Sequence, residues 1–173
     1  MINKSKIVDE LRIDLSESSF IEPFNILIDS LNQEANLSFA GKFAAEYQIK
    51  QHIRNRLAIS NSYEDIKDPK VTKPIFVIGL PRSGTTFLFN LLSQDEAHRS
   101  PLFWEMMKPL PMVKPNSFNE TIRIKQSDLV LYFKEKFIPK LDDLHAIRSS
   151  SPEECLLIKV FALQSILYFY MAN

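Results

Sequence analysis

The stretch that most constrains this chain is Lys73-Pro-Ile-Phe-Val-Ile-Gly-Leu-Pro-Arg-Ser-Gly-Thr-Thr86. Ile75 to Gly79 is a short run of apolar, β-branched and aromatic residues bounded by Pro74 and Gly79, which predicts one buried strand of a parallel sheet. Phe87 to Leu92 then reads as the apolar part of a helix. Strand, glycine-containing turn and helix N-terminus together aim backbone N–H groups at one point, which is the geometry of an anion site.

The donors around that point narrow the anion. Gly79-Leu-Pro-Arg-Ser-Gly-Thr-Thr86 matches both glycines and the last hydroxyl of the nucleotide-triphosphate loop G-x-x-x-x-G-K-[ST], but Thr85 stands where that loop needs lysine. The cation is instead Arg82, between the glycines, and Pro81 stiffens the turn ahead of it. A planar guanidinium, backbone N–H groups and the hydroxyls of Ser83, Thr85 and Thr86 suit an oxyanion held without a metal.

Charge is balanced, with 21 Lys+Arg against 21 Asp+Glu, so nothing suggests a basic face for nucleic acid. With 173 residues, 45% of them hydrophobic, the chain can bury a core. The single cysteine, Cys155, excludes an intrachain disulfide and fits a reducing compartment. Charges in Met1-Ile-Asn-Lys-Ser-Lys-Ile-Val-Asp-Glu10 stand where a signal peptide needs an apolar core, so a cytoplasmic location is expected.

Residues 1–60 read as a helical segment. Ile7, Leu11 and Leu15 repeat at helical spacing, and Ser18 or Ser19 caps a second helix carrying Phe20, Phe24, Ile28 and Leu31. From Phe39 to Ile59 the stripe is Phe43, Tyr47, Ile49, Ile53 and Leu57, with Lys50, Arg54 and Arg56 as a solvated face. Residues 61–173 form the second part, entered through a polar connector. Pro101, Pro109, Pro111 and Pro115 allow one short helix near Phe103–Lys108; helical spacing resumes over 119–144; and Pro152-Glu-Glu-Cys155 opens a long apolar helix from Leu156 to Met171. Lys159 and Gln164 interrupt that run, so no membrane span is expected. A single strand has no partner for its backbone groups, so the chain reads as the N-terminal part of a larger α/β domain.

Pro81-Arg-Ser-Gly-Thr-Thr86 resembles the 5′-phosphosulfate loop of sulfotransferases that use 3′-phosphoadenosine 5′-phosphosulfate (PAPS). Ile53-Arg-Asn-Arg-Leu57, Asn90-Leu-Leu-Ser-Gln-Asp95, Arg99-Ser-Pro-Leu-Phe-Trp-Glu105 and Pro152-Glu-Glu-Cys155 are similar to a bacterial branch of that family. The resemblance implies a P-loop-like three-layer α/β fold, present as its N-terminal portion, mostly helical with one parallel-sheet strand. It also implies an enzyme that moves a sulfuryl group from PAPS to a hydroxyl or amine, with no metal. The strand leading to a 3′-phosphate site is missing, so this chain alone is expected to be inactive. Arg148-Ser-Ser-Ser151 has suitable residue types for that site but no apolar strand before it.

The resemblance assigns Arg82, Ser83, Gly84, Thr85 and Thr86 to the 5′-phosphate. Arg82 also faces the departing oxygen. Glu105 is the expected base, with His145 as competitor and Arg99 as support for Glu105 or the cofactor. Glu153 and Glu154 read as helix-terminal charges. The acceptor is a small molecule, glycan or lipid, and Phe103, Trp104, Met106, Met107 and Met112 form either an apolar wall for it or part of the core. Two other readings remain: a P-loop kinase or NTPase with a degenerate lysine, and a non-catalytic helical fragment.

Overall fold

Most helices begin where the sequence supplies a local stop for the extended chain. In a computed structural model, which describes residues 1–14, 19–62, 72–80, 83–137 and 147–169, Asn3 caps α1 (Lys4–Leu11) by accepting the Lys6 N–H. Ser38 caps α3 (Phe39–Asn61) by accepting the Gly41 N–H. Between them lies α2 (Ile21–Gln33), which starts at Phe20 without a side-chain cap. There follow α4 (Thr85–Leu92), α5 (Phe103–Met107) and α6 (Phe118–Phe137).

The chain divides into two compact units, Met1–Ser62 with Leu156–Asn173, and Tyr63–Cys155. In the first, Ile7 of α1, Phe24, Ile28 and Leu31 of α2 and Ile49 and Ile53 of α3 are almost completely buried, joined by Val160, Phe161, Leu163 and Tyr168. The buried row on α3 is Ala45, Ile49 and Ile53 at a spacing of four, narrower than the expected stripe. Phe43 and Tyr47 are instead exposed.

Of the three bases expected on a solvated face of α3, Arg54 is exposed and Arg56 half-buried, but Lys50 is not solvated. Lys50 is buried, with its ammonium 2.6 Å from Glu10 and 2.7 Å from Glu46, and Arg54 reaches Glu10 at 3.2 Å. Hydrogen bonding to Glu10 and then Glu46 raises the Lys50 pKa, as a buried ammonium with two carboxylate partners requires. Arg56 donates to Ser19 Oγ at 2.7 Å and lies over the Phe20 ring, tying α3 to the start of α2.

The apolar run after Cys155 is not one long helix. It forms two 3₁₀ pieces, Cys155–Ala162 and Ile166–Tyr168, separated at Leu163, whose φ of 56° no helix accommodates. The Val160 carbonyl accepts from the Leu163 N–H at 3.0 Å and from the Tyr168 hydroxyl at 2.9 Å. His52 Nδ1 lies 2.7 Å from the same hydroxyl.

The expected sheet strand is absent. Among the described residues there is no β-strand, only an isolated antiparallel bridge between Leu102 and Pro152. Ile75, Phe76 and Ile78 are 56%, 79% and 88% exposed, so the run that reads as a buried strand is an uncovered extended segment. The α/β, parallel-sheet expectation for this chain is therefore corrected to a helical architecture. Sequence pattern selects the extended conformation, but a ladder needs a second strand, and the described residues supply none.

Candidate donor-binding site

The turn into α4 depends on two glycines for different reasons. Gly84 has φ 87° and is the N-cap of α4; a Cβ there meets nothing within 4 Å, so its requirement is conformational. At Gly79 the requirement is space, since a Cβ would stand 2.6 Å from Ser83 Oγ and 2.7 Å from Thr85 Cγ2. Ser83 closes the turn by donating its backbone N–H (3.2 Å) and its hydroxyl (2.6 Å) to the Leu80 carbonyl. The first N–H groups of α4 lack intrahelical partners, as at any helix start, and so provide anion donors. Ser83 and Gly84 are exposed, and Thr85 and Thr86 are half-buried. Arg82 and Pro81 lie outside the described residues.

Two of the three expected hydroxyl donors are already committed to the protein. Ser83 donates to Leu80, and Thr86 Oγ1 donates to Glu154 Oε1 at 2.7 Å. Of the three hydroxyls, Ser83 and Thr86 are thus occupied by Leu80 and Glu154.

Glu105 sits in α5, where it makes two bonds. Oε1 takes an ion pair from Arg99 at 2.6 Å, and Oε2 accepts the Leu102 N–H at 2.8 Å, so the carboxylate closes the start of its own helix. Phe103, Trp104 and Met106 on this helix are buried and act as core rather than as an acceptor wall, while Met112 is 78% exposed. Arg123 pins the proline-rich stretch to α6 by donating to the Lys108 and Pro111 carbonyls, each at 2.7 Å. His145 lies outside the described residues.

Segment 149–154 joins these parts. Its backbone accepts from Phe103 N (to Ser151 O, 3.1 Å) and Trp104 N (to Ser149 O, 3.1 Å), and Glu153 N donates to the Pro101 carbonyl at 3.1 Å. Its Glu154 carboxylate takes the Thr86 hydroxyl. Sequence reasoning placed Glu154 at a helix terminus; the only signal for its actual role was its place in Pro152-Glu-Glu-Cys155. Beside α4 this segment leaves a cavity of about 210 Å³, lined from α4 by Thr86, Phe89, Asn90, Ser93 and Gln94 and closed by Arg148 and Ser151–Glu154. Among the described residues no group of three His, Cys, Asp or Glu is arranged to hold a metal, and no helix is long and apolar enough to cross a membrane.

The turn before α4 is capped by Gly84 at φ 87°, and in the sequence Thr85 stands where the nucleotide loop has its lysine. The sequence profile of the sulfotransferase family matches residues 74–173. The chain belongs to the sulfotransferase family. Among solved structures it is similar to the sulfotransferase STF9 from Mycobacterium avium, with a TM-score of 0.71 and 20% identity over 98% of this chain and 46% of that one. It is also similar to the sulfotransferase STF1 from Mycobacterium tuberculosis H37Rv, with a TM-score of 0.66 and 24% identity over 95% of this chain and 47% of that one. The chain thus spans about half the length of the structures it matches. No curated protein sequence matches it.

Proposed function

We propose that this chain carries the donor-binding part of a sulfotransferase that moves a sulfuryl group from PAPS to a hydroxyl or amine. The observation that supports it is the turn itself: Gly84 at φ 87° starting α4, with Gly79 packed too closely against Ser83 and Thr85 to carry a side chain. Ser83, Gly84, Thr85 and Thr86 would hold the 5′-phosphate, chiefly through backbone N–H groups because the Thr86 and Ser83 hydroxyls are engaged. Arg82 would supply the cation.

In the transfer, the acceptor oxygen or nitrogen bonds to sulfur as the bond from sulfur to the bridging oxygen breaks. The electron pair stays on the 5′-phosphate, where N–H groups and a guanidinium stabilise the developing charge. The acceptor's proton passes to a base. Glu105 and His145 remain the candidates, and Glu105 would first have to loosen its bond to the Leu102 N–H.

Isothermal titration tests this reading against that of a degenerate NTPase. Binding of adenosine 3′,5′-bisphosphate in the absence of Mg²⁺ is expected. Binding of ATP that requires Mg²⁺, with none of the bisphosphate, would overturn it.

A further inference from the structure

The turn into α4 has an uncovered apolar surface on either side. Before it, Ile75, Phe76, Ile78 and Leu80 are exposed; after it, so are Phe87, Leu88 and Leu91 of α4. These seven side chains present on the order of 700 Å² of apolar surface, more than the roughly 300–600 Å² of the largest patch on a typical monomer. That area is near the roughly 800 Å² that each partner gives to a standard interface.

The same stretch has an open backbone edge. Residues 75–79 are extended, and among the described residues no backbone hydrogen bond reaches them. Another extended segment is the protein element that completes such an edge. Backbone groups alternate between the two edges along an extended chain. The edge of residues 74, 76, 78 and 80 is blunted at both ends, because Pro74 has no N–H and the Leu80 carbonyl accepts from Ser83. Ile75, Val77 and Gly79 form the open one. This edge fits a second copy of itself. In an antiparallel pair centred on Val77, Phe76 stands opposite the second copy's Ile78, an aromatic against a β-branched side chain, and Ile75 stands opposite its Gly79. No charge lies within residues 74–81, and the antiparallel register keeps Lys73 away from its counterpart; parallel pairing in register would set the two lysines side by side.

We propose that residues 75–79 pair antiparallel with the same residues of a second copy of this chain, about a twofold axis at Val77, with the exposed apolar side chains of α4 buried in the same contact. Gly79, the first residue of the donor turn, is then held by the ladder.

The test is sedimentation equilibrium of the full chain over a range of concentrations. A dimer of twice 20.0 kDa is expected. Ile78→Lys alters a side chain that is exposed in the single chain, so it should leave the helical circular dichroism unchanged while weakening the dimer about tenfold or more. The register is read by cross-linking with diamide as oxidant in a Cys155→Ser background. Val77→Cys is expected to give a covalent dimer, because the two copies of residue 77 stand roughly 5.5 Å apart across the axis. Ile75→Cys is expected to stay reduced, its two copies lying roughly 13 Å apart along the ribbon. A monomer at every concentration would overturn the inference and leave this face to a different polypeptide. Open-ended association would overturn it too, since a twofold pair is closed. So would a dimer that Ile78→Lys leaves intact, or one that cross-links equally well through residue 75.

Discussion

Thr86 and Glu154, 68 positions apart, share a hydrogen bond of 2.7 Å that fastens the start of α4 to the segment contacting α5. The bond commits the Thr86 hydroxyl to a carboxylate, which leaves this residue's backbone N–H to serve an anion. Thr86→Val should therefore preserve bisphosphate affinity within about threefold while lowering stability by about 1 kcal/mol, the ordinary net value of such a bond in a half-buried setting. Denaturant unfolding and a binding titration on the same variant measure both. A loss of affinity beyond about tenfold would show that the hydroxyl itself contacts the ligand.

The two loop glycines should fail differently. Gly84→Ala meets open space but keeps a backbone at φ 87°, so its cost is conformational, about 1 kcal/mol. Gly79→Ala forces Ser83 and the β-branched Thr85 to move, which displaces the turn. Thermal unfolding should show a modest loss for the first. Ligand titration should show the larger loss of binding for the second.

Acid should weaken the first unit through His52. Burial against Phe161 and Tyr168 pushes its pKa down to about 4, from an ordinary value near 6.5. The unfolded chain thus binds the proton first as pH falls. Stability from the neutral imidazole is complete above about pH 6.5 and is lost progressively towards pH 4, by at most about 3 kcal/mol and less for the part of the ring that water reaches. Unfolding measured across this window should show that slope in the unsubstituted chain and a flatter one in His52→Gln. Equal slopes would assign the acid sensitivity to other groups.

Ile53 is completely buried in the core formed by α1, α2, α3 and the C-terminal segment. Ile53→Ala should cost about 2–5 kcal/mol. An effect below about 1 kcal/mol in denaturant unfolding would mean that this core does not hold the first unit together.

Helix α3 was readable because Ile49 and Ile53 recur at helical spacing within one element, whereas the cap expected at Ser18 or Ser19 was not found: α2 starts at Phe20 without a side-chain cap. The strand was not, because Ile75 to Gly79 carries the right side chains but its pairing depends on residues elsewhere, and the segment stands exposed. The break at Leu163 escaped detection for a similar reason. The run is apolar enough for a helix, but the Val160 carbonyl accepts from the Leu163 N–H and from the Tyr168 hydroxyl, a tertiary contact that periodicity does not reveal. Within the site, the loop was legible from Gly79 and Gly84, since local geometry demands them. Glu154 was not, because a carboxylate before a helix looks the same in sequence whether it serves that helix or a threonine 68 residues away.

The central claim is that the turn from Gly79 to Thr86 holds the phosphosulfate end of PAPS without a metal. Its most direct test is the response of backbone amide signals to adenosine 3′,5′-bisphosphate in metal-free buffer. The account predicts saturable shifts concentrated at Ser83, Gly84, Thr85 and Thr86, abolished in Arg82→Ala. Shifts that avoid these four residues, or that appear only when Mg²⁺ is added, would contradict it.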